Sequence, residues 1–306
     1  MVWVIGCNGM LGTELCRKLS EKKIDFVGTG SDVDITDASS LDAFCKSNGA
    51  KFDFIVNCAA YTAVDKAESE FEIACRVNCD GVRNIARLAE KIGAKLVHVS
   101  TDYVFDGTGG ADKLNPRPYR EDDPIAPLGA YGKSKAEGEK AVLENCAESY
   151  ILRTAWLYGW SGKNFVYTMI RAMNSRDSVK VVNDQTGTPT FCGTLSDIII
   201  RIIGLFGTEK AVPYGIYHVT DEGETTWFDF TKEIKKQGIR LGLIGNPSCV
   251  VNPCTTEEYP TPAKRPVYSV LSKDKIQLAL GIKIPEWQES LCVFLESEFF
   301  DKSRVK

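Results

Sequence analysis

The chain has 306 residues, and its 37 basic and 41 acidic side chains leave a formal net charge of −4. Nucleic acids and anionic membranes are bound through basic surfaces, so this balance argues against both as partners. Only two histidines are present, His98 and His218, and we therefore expect neither a histidine-rich metal site nor a Ser-His triad.

The cysteines and the apolar stretches indicate a soluble cytoplasmic protein. There are 11 cysteines, an odd number, and no C-x-x-C pair, as is typical of reduced thiols in a cytosolic enzyme. The first residues lack the basic segment of a secretory signal. The longest apolar stretch, 198–206, contains Arg201 and is much shorter than the roughly 20 residues that cross a bilayer.

The first half of the chain alternates short apolar runs with helical patterns. Strands are predicted at 2–5, 26–28, 54–57, 95–100 and 150–153, and helices at 10–19, 41–47, 70–92 and 131–148. This alternation favours a Rossmann-type α/β fold, a doubly wound parallel sheet with helices on both faces. Glycines and prolines predict a loop over 106–127, a length that is often functional.

The second half has a less regular pattern. Helices are predicted at 165–174, 194–205, 227–237 and 287–299, and strands at 179–182 and 217–219. We expect an NAD(P)-binding Rossmann domain over 1–155, completed by later segments. Residues 156–306 are expected to form mainly a smaller C-terminal lobe that binds the substrate.

A glycine-rich segment, G-x-x-G-x-x-G, joins the first predicted strand to the first helix through Gly6, Gly9 and Gly12. Glycines allow a tight turn and let backbone N–H groups approach a pyrophosphate, to which the helix N-terminus adds partial positive charge. Its position between a strand and a helix favours a dinucleotide site over a plain turn.

The end of the second predicted strand leaves the choice between NADH and NADPH open. An acid there holds the ribose 2′-OH of NADH and an arginine holds the 2′-phosphate of NADPH, but residues 28–31 contain neither. Asp34 follows, and it is expected either beside the adenine or as a cap of its own turn.

Tyr131 and Lys135 form a Y-x-x-x-K motif at the start of a predicted helix, which places both on one face. A nearby ammonium lowers the pKa of a phenol, so Tyr131 is predicted to donate or accept a proton near neutral pH. Thr101 ends the fourth predicted strand, where it would hydrogen-bond a substrate carbonyl or cap its own turn. His98, in the same strand, is expected in the core.

The chain resembles the dTDP-4-dehydrorhamnose reductase family of extended short-chain dehydrogenases/reductases along its whole length. The resemblance is carried by V-N-C-A-A-Y-T-A-V-D-K-A-E at 56–68, S-T-D-Y-V-F-D-G at 100–107, Y-G-K-S-K at 131–135, R-T-A-W-L-Y-G at 153–159, N-D-Q at 183–185, T-T-W at 225–227 and Y-P-T-P-A-K-R-P at 259–266. The first and last runs are the most specific. The resemblance implies reduction of the C4 ketone of dTDP-4-dehydro-β-L-rhamnose by NADPH or NADH, which yields dTDP-β-L-rhamnose for cell-surface polysaccharide.

The same resemblance implies a role for each site residue. Tyr131 would protonate the C4 oxygen, Lys135 would lower the Tyr131 pKa and hold the nicotinamide ribose, and Thr101 would bind the keto oxygen. Contacts to the sugar nucleotide are implied for Asp102 and Trp156, and a contact to a substrate phosphate for Arg265, which could otherwise be a solvated side chain. Cofactor contacts are implied for the pyrophosphate loop (Gly9, Met10, Leu11), the adenine side (Asp34, Ile35) and the middle of the cofactor (Ala60, Tyr61, Thr62).

Some members of this family are magnesium-linked homodimers with glutamates at the dimer contact. Glu14 matches one of these acids, but the second position falls at Gly193, which has no side chain to bind Mg²⁺. The residues therefore leave both Mg²⁺ and the homodimer open, and Glu14 could instead be a solvated first-turn acid favoured by the helix dipole.

Two other functions remain compatible with the sequence. One is a related nucleotide-sugar 4-ketoreductase or epimerase with the same tyrosine and lysine. The other is a non-catalytic binding subunit similar to the regulatory β subunit of methionine adenosyltransferase.

Overall fold

The computed structural model describes residues 1–49, 51–110 and 116–305. Its strands are β1 (Val2–Ile5), β2 (Phe26–Thr29), β3 (Phe54–Asn57), β4 (Lys95–Thr101), β5 (Ser149–Thr154), β6 (Leu157–Tyr158), β7 (Ser178–Val182), β8 (Thr186–Gly187), β9 (Thr190–Phe191), β10 (Gly215–His218), β11 (Thr225–Thr226) and β12 (Val250–Cys254). Its α-helices are α1 (Met10–Glu21), α2 (Ala38–Asn48), α3 (Val64–Ala67), α4 (Phe71–Cys75), α5 (Val82–Ile92), α6 (Ala130–Asn145), α7 (Phe165–Ser175), α8 (Cys192–Leu205), α9 (Trp227–Arg240), α10 (Asp274–Leu280) and α11 (Trp287–Glu296).

Six parallel strands form the main sheet in the order β10-β5-β4-β3-β1-β2. The predicted α/β fold is confirmed, and the sixth strand comes from the second half of the chain. Side chains alternate between the two faces of β1: Val2 and Val4 pack towards α1 and α8, whereas Trp3 and Ile5 pack towards α2 and α5. Apolar residues on both faces explain why the run at 2–5 is apolar throughout.

The long helix predicted at 70–92 is interrupted. It consists of α4, a π-helical turn at Arg76–Gly81, and α5. The Asn78 side chain in this turn bonds outside its own helix, to Tyr61 and Ser134. Such π-turns often occur at functional sites, and hydrophobic periodicity alone does not reveal them.

The C-terminal region has a core of its own, formed by α7, α9, α11 and the β7–β12 pair. It is rich in aromatic contacts, such as Tyr158 against Phe294 at 5.2 Å between ring centroids. The sequence pattern missed β12 and α10. Within the described part of the chain, no helix is long and apolar enough to span a membrane.

Two sequence expectations about individual residues are confirmed. His98 is fully buried in β4, with its Nδ1 atom 3.2 Å from Nδ2 of Asn57. All 11 cysteines are free, and five of them are buried.

Candidate active site

The glycine-rich loop follows β1, the strand at which the order of the strands in the sheet reverses. Strands β2 and β3 flank β1 on opposite sides, so the loops after β1 and β3 meet at the edge where open α/β sheets bind ligands. Gly6 has φ +82°, and a Cβ on it would lie 2.7 Å from the Ala59 nitrogen. A Cβ on Gly12 would lie 2.1 Å from the Gly6 carbonyl oxygen. The glycines are thus required for the close packing of this loop.

Helix α1 begins at Met10, directly after the loop, and its N-cap Gly9 offers no side-chain hydrogen bond. The first N–H groups of the helix are therefore not capped by their own N-cap side chain and can bind an anion. This arrangement fits the pyrophosphate of a dinucleotide, with Met10, Leu11 and Gly12 supplying the first-turn N–H groups.

The loop after β2 contains an acid that the sequence reading overlooked. The Asp32 carboxylate accepts a hydrogen bond from the Gly30 N–H at 2.6 Å. It follows the glycine loop by roughly 20 residues, the separation at which a ribose-binding acid is found, and that spacing was the signal available in the sequence.

Asp34 and Ile35, the predicted adenine-side residues, have local partners. The Asp34 carboxylate accepts from both the N–H and the hydroxyl of Thr36 at 2.8 Å, which matches the turn-cap alternative. Ile35 is buried in the core, and its carbonyl accepts from Asn84. An adenine contact for either residue stays a prediction.

Asn78 links the predicted cofactor segment Ala60–Thr62 to α6, the helix that carries Tyr131. Its Oδ1 accepts from the Tyr61 N–H at 2.9 Å, and its Nδ2 donates to the Tyr61 carbonyl and to Ser134 Oγ, both at 3.0 Å. The Tyr61 hydroxyl donates to Glu70 at 2.5 Å. No sequence pattern had singled out Asn78, because its role arises from contacts across three separate segments.

Tyr131 and Thr101 come together at the carboxyl end of β4. Tyr131 is the second residue of α6, and Thr101 is the last residue of β4. Burial raises the pKa of the Tyr131 phenol, and the nearby Thr101 hydroxyl opposes the shift. The neighbouring charge of Asp102 raises the phenol pKa further.

The pKa of Tyr131 differs from the sequence expectation. Lys135 was expected to lower it, but in the structure burial dominates and raises it. The buried Lys135 ammonium donates to the Val99 carbonyl of β4 at 2.6 Å, and burial lowers its own pKa to about 8. Desolvation opposes the charged form of both side chains, and one ammonium does not offset it.

Glu68 caps the helix that carries Tyr131. The N-cap of α6, Gly129, has no side chain, and Glu68 Oε1 instead accepts from the Ala130 N–H at 2.9 Å. A Cβ on Gly129 would lie 2.6 Å from that oxygen, so the glycine makes room for a cap from 62 residues away. Glu68 belongs to one of the runs that carry the family resemblance, although no role was inferred for it.

Asp102 and Tyr103 form the wall beside Tyr131. Asp102 is buried, which raises its carboxyl pKa to about 6, and it accepts from the Thr101 hydroxyl at 2.9 Å. The Tyr103 ring meets the Tyr131 ring edge-on, 5.5 Å between centroids. The Tyr103 hydroxyl accepts from Arg265 Nη1 at 3.3 Å.

A cavity of about 450 Å³ opens from this wall into the C-terminal region. Aromatic, aliphatic and cationic side chains line it: Tyr103, Phe165, Thr168, Met169, Lys180, Val181, Val182, Gln185, Trp227, Tyr259, Thr261 and Arg265. The predicted substrate residue Arg265 is among them, but one guanidinium nitrogen already bonds both oxygens of Asp65 at 2.7 Å. Lys180 and Trp227 had been given no role from the sequence.

Trp156 lies beside this cavity in a tightly constrained conformation. Its indole stacks on Trp227 with 3.6 Å between centroids and 10° between planes. Its φ of +46° is rare for a bulky side chain and is the kind of strain found at functional sites. A Cβ on Gly187 would lie 2.6 Å from the Trp156 ring, so the indole is held between Gly187 and Trp227.

The two positions considered for magnesium have other partners. Glu14 is buried in the second turn of α1 and accepts two hydrogen bonds from Arg17, at 2.7 and 3.0 Å, so the interpretation as a solvated first-turn acid is wrong. The Gly193 carbonyl accepts from Lys18. Among the residues that the structure describes, no group of three or more His, Cys, Asp or Glu side chains could hold a metal ion.

The chain is similar to known proteins over nearly its whole length. The family model described as "RmlD substrate binding domain" matches residues 1–299. A dTDP-4-dehydrorhamnose reductase of Aggregatibacter actinomycetemcomitans is 40% identical over 94% of this chain and 96% of its own. A relative from Streptomyces antibioticus, named a probable dTDP-4,6-dihydroxy-2-methyloxan-3-one 4-ketoreductase, is 40% identical over 95% of this chain and 93% of its own.

A solved structure is also similar over nearly the whole chain. The dTDP-4-dehydrorhamnose reductase of Bacillus anthracis, in complex with NADP, is 37% identical, covers 96% of this chain and 97% of its own, and has a TM-score of 0.86.

Proposed function

We propose that this chain, which belongs to the RmlD substrate binding domain family, is a reductase that acts on the C4 ketone of dTDP-4-dehydro-β-L-rhamnose with NADPH or NADH and forms dTDP-β-L-rhamnose. The observation that carries the proposal is the meeting of three parts at one sheet edge. These are the glycine-rich loop at Gly6–Gly12 (the glycine cradle), the partly buried Tyr131 beside the buried Thr101, and a cavity with aromatic and cationic walls.

The protonation states suit a reduction. Burial raises the Tyr131 pKa, so the phenol carries its proton at neutral pH and can give it to a carbonyl oxygen that gains negative charge. The Thr101 hydroxyl donates to Asp102 when no substrate is bound, and it would turn its proton to the same carbonyl oxygen on substrate binding. Lys135, with a pKa lowered to about 8, still carries its proton at neutral pH and adds positive charge behind Tyr131.

The glycine cradle and the neighbouring loop indicate which residues would bind the cofactor. Gly6, Gly9, Met10, Leu11 and Gly12 would hold the pyrophosphate, and a bound nicotinamide would supply the hydride. The segment Ala60–Thr62, fixed by Asn78, would line the middle of the cofactor. Asp32 favours NADH, because its carboxylate can accept from a ribose 2′-OH and would repel a 2′-phosphate.

The cavity supports a nucleotide-sugar substrate. Lys180 and Arg265 bring positive charge for a diphosphate, and the stacked Trp156 and Trp227 offer flat apolar surfaces for a ring. Because Asp65 shares the Arg265 guanidinium, the phosphate contact proposed for Arg265 uses the nitrogen that now faces Tyr103.

The decisive assay is oxidation of NADPH, and separately of NADH, with enzymatically made dTDP-4-dehydro-L-rhamnose. Tyr131→Phe keeps the ring and removes the proton, and we expect kcat to fall about 10²- to 10⁴-fold. Tyr214→Phe is the matched control, because that exposed tyrosine donates to Glu148 and packs on Tyr150 at the amino end of β5, the opposite end of the strand from the site. Turnover by the wild type that survives Tyr131→Phe would refute the proton donor, and no turnover by the wild type would refute the substrate.

One alternative is favoured by a specific observation. The Streptomyces antibioticus relative is named for a different 4-keto sugar and is as similar to this chain as the rhamnose reductase. Other dTDP-4-keto sugars belong in the same assay, and faster turnover of one of them would reassign the substrate. A regulatory subunit would bind the cofactor and capture a partner enzyme without any turnover.

Assembly and compartment stay predictions from the sequence. A homodimer is tested by sedimentation of the purified chain with and without Mg²⁺, and cytoplasmic location by fractionation of the source cells.

A further inference from the structure

A buried ion pair lies behind the catalytic helix and has no role in the reaction described above. Arg153 of β5 and Glu139 of α6 are joined at 2.7 Å, and their side chains are 1% and 2% exposed. Burying two charges costs several kcal/mol each, and an apolar pair is often as stable, so stability by itself is weak grounds for such a pair. Its position in the molecule therefore needs a separate reason.

The Glu139 carboxylate joins α6 to the strands β4 and β5, which carry or lead into site residues. Arg153 Nε and Nη2 donate to its two oxygens at 2.9 and 2.7 Å, and the Ser100 hydroxyl donates at 2.5 Å. Ser100 directly precedes Thr101 on β4, and Arg153 lies three residues before Trp156. The carboxylate thus holds α6 against the carboxyl ends of β4 and β5. Thr101 is the last residue of β4, and Trp156 follows β5 by two residues.

Glu139 is also the negative charge that acts on Lys135. The two lie four residues apart on α6, one turn along the same face. Burial lowers the Lys135 pKa, and the charge of Glu139 opposes that shift. Two further titratable groups face Lys135, and both are neutral at neutral pH. Burial raises the pKa of Tyr131, one turn earlier on α6, and burial and the lysine charge push the pKa of His98 on β4 well below its usual value. The positive charge of Arg153 is offset by the carboxylate of Glu139 in the ion pair.

The geometry points to Glu139, held by Arg153 and Ser100, as a positioning residue that keeps Lys135 protonated and the catalytic helix seated on the sheet. This inference rests on the proposed reductase function, since it concerns the lysine of that site. It adds a second layer to the site: a carboxylate that touches no substrate and acts through Lys135.

The test is the pH profile of kcat in Glu139→Gln, which keeps the shape and the acceptor oxygen but removes the charge. The alkaline limb, where Lys135 loses its proton, should move to lower pH by about one unit or more, the size of effect a nearby opposite charge produces. Glu144→Gln is the matched control, an exposed glutamate on the same helix, and its limb should coincide with the wild type. The proposal would be overturned if Glu139→Gln lowered kcat equally at every pH without moving the alkaline limb. It would also be overturned if the alkaline limb of Glu144→Gln moved to lower pH as well.

A second measurement separates this inference from the proposed function. The lysine ε-carbons are followed by ¹³C NMR during a pH titration of the protein alone, with the Lys135 signal identified by its loss in Lys135→Met. The midpoint should fall in Glu139→Gln even if no sugar substrate is turned over, and an unchanged midpoint refutes the role of Glu139.

A third variant guards against a folding failure. If Glu139→Gln does not fold because Arg153 is left unpaired, the double variant Glu139→Gln/Arg153→Gln removes both buried charges. Its Lys135 midpoint should also be lower than in the wild type, and an unchanged or higher midpoint refutes the proposal.

Discussion

Replacing Gly187 by alanine should impair the substrate side of the site and leave the cofactor side intact. The new Cβ would lie 2.6, 2.7 and 2.9 Å from three ring atoms of Trp156, closer than real Cβ contacts allow. The indole cannot retreat, because its other face stacks on Trp227 at 3.6 Å, and Trp227 in turn contacts Phe165 at 4.5 Å. The strain must therefore reach the cavity wall.

The size of the effect follows from the contacts. Overpacking of this kind costs about 1–3 kcal/mol, and a lost aromatic pair costs about 0.5–1.5 kcal/mol. If most of this free-energy cost weakens the binding of the substrate and its transition state, kcat/KM falls about 10- to 100-fold, since each 1.4 kcal/mol or so is tenfold. The dissociation constant of NADH should not change, because the glycine cradle lies on a different loop.

The assay is steady-state oxidation of NADH together with fluorescence titration of the same cofactor. Gly204→Ala is the control, since a Cβ there meets nothing within 4 Å and Gly204 lies in a helix, so activity should match the wild type. An unchanged kcat/KM in Gly187→Ala, or an equal loss of cofactor affinity, would show that Trp156 does not shape the substrate pocket.

Three further results are expected. Turnover should decline as the pH rises through about 8, the pKa to which burial lowers Lys135, because the ammonium is lost above that value; a profile that is flat to about pH 10 would contradict this. Glu68→Ala should lower the free energy of unfolding in urea by about 1 kcal/mol through loss of the α6 cap, whereas Glu72→Ala, on the exposed side of α4, should not; equal effects would rule out the cap. Burial raises the Asp221 pKa to about 7, so the folded state holds that proton more tightly than the unfolded state and stability falls as the pH rises from about 4 to about 7. Asp221→Asn should therefore raise the free energy of unfolding at about pH 8 and leave it nearly unchanged at about pH 4; a gain of equal size at both pH values would exclude this ionisation as the cause.

Local patterns in the sequence were enough to predict the strands of the main sheet and to single out the Tyr131–Lys135 pair. Strands β1 and β3 carry apolar side chains on both faces, so their runs are unmistakable in the chain. The glycine loop and the Y-x-x-x-K motif depend on spacings of a few residues, which a turn or a single helical face preserves. These features could be predicted because the residues that define them are neighbours in the chain.

Other parts of the site depend on residues far apart in sequence. Glu68 caps α6 from 62 residues away, and Asp65 holds Arg265 from 200 residues away. The pKa of Tyr131 was mispredicted for the same reason: spacing identifies the lysine beside it, whereas the desolvation that dominates arises from every element packed around the phenol. The sequence alone therefore determined the strands of the sheet, the glycine-rich loop and the Tyr131–Lys135 motif proposed to carry the proton transfer. Only the tertiary structure decided the directions of the pKa shifts and the cavity beside Tyr103, because burial and long-range contacts exist only once the chain has folded.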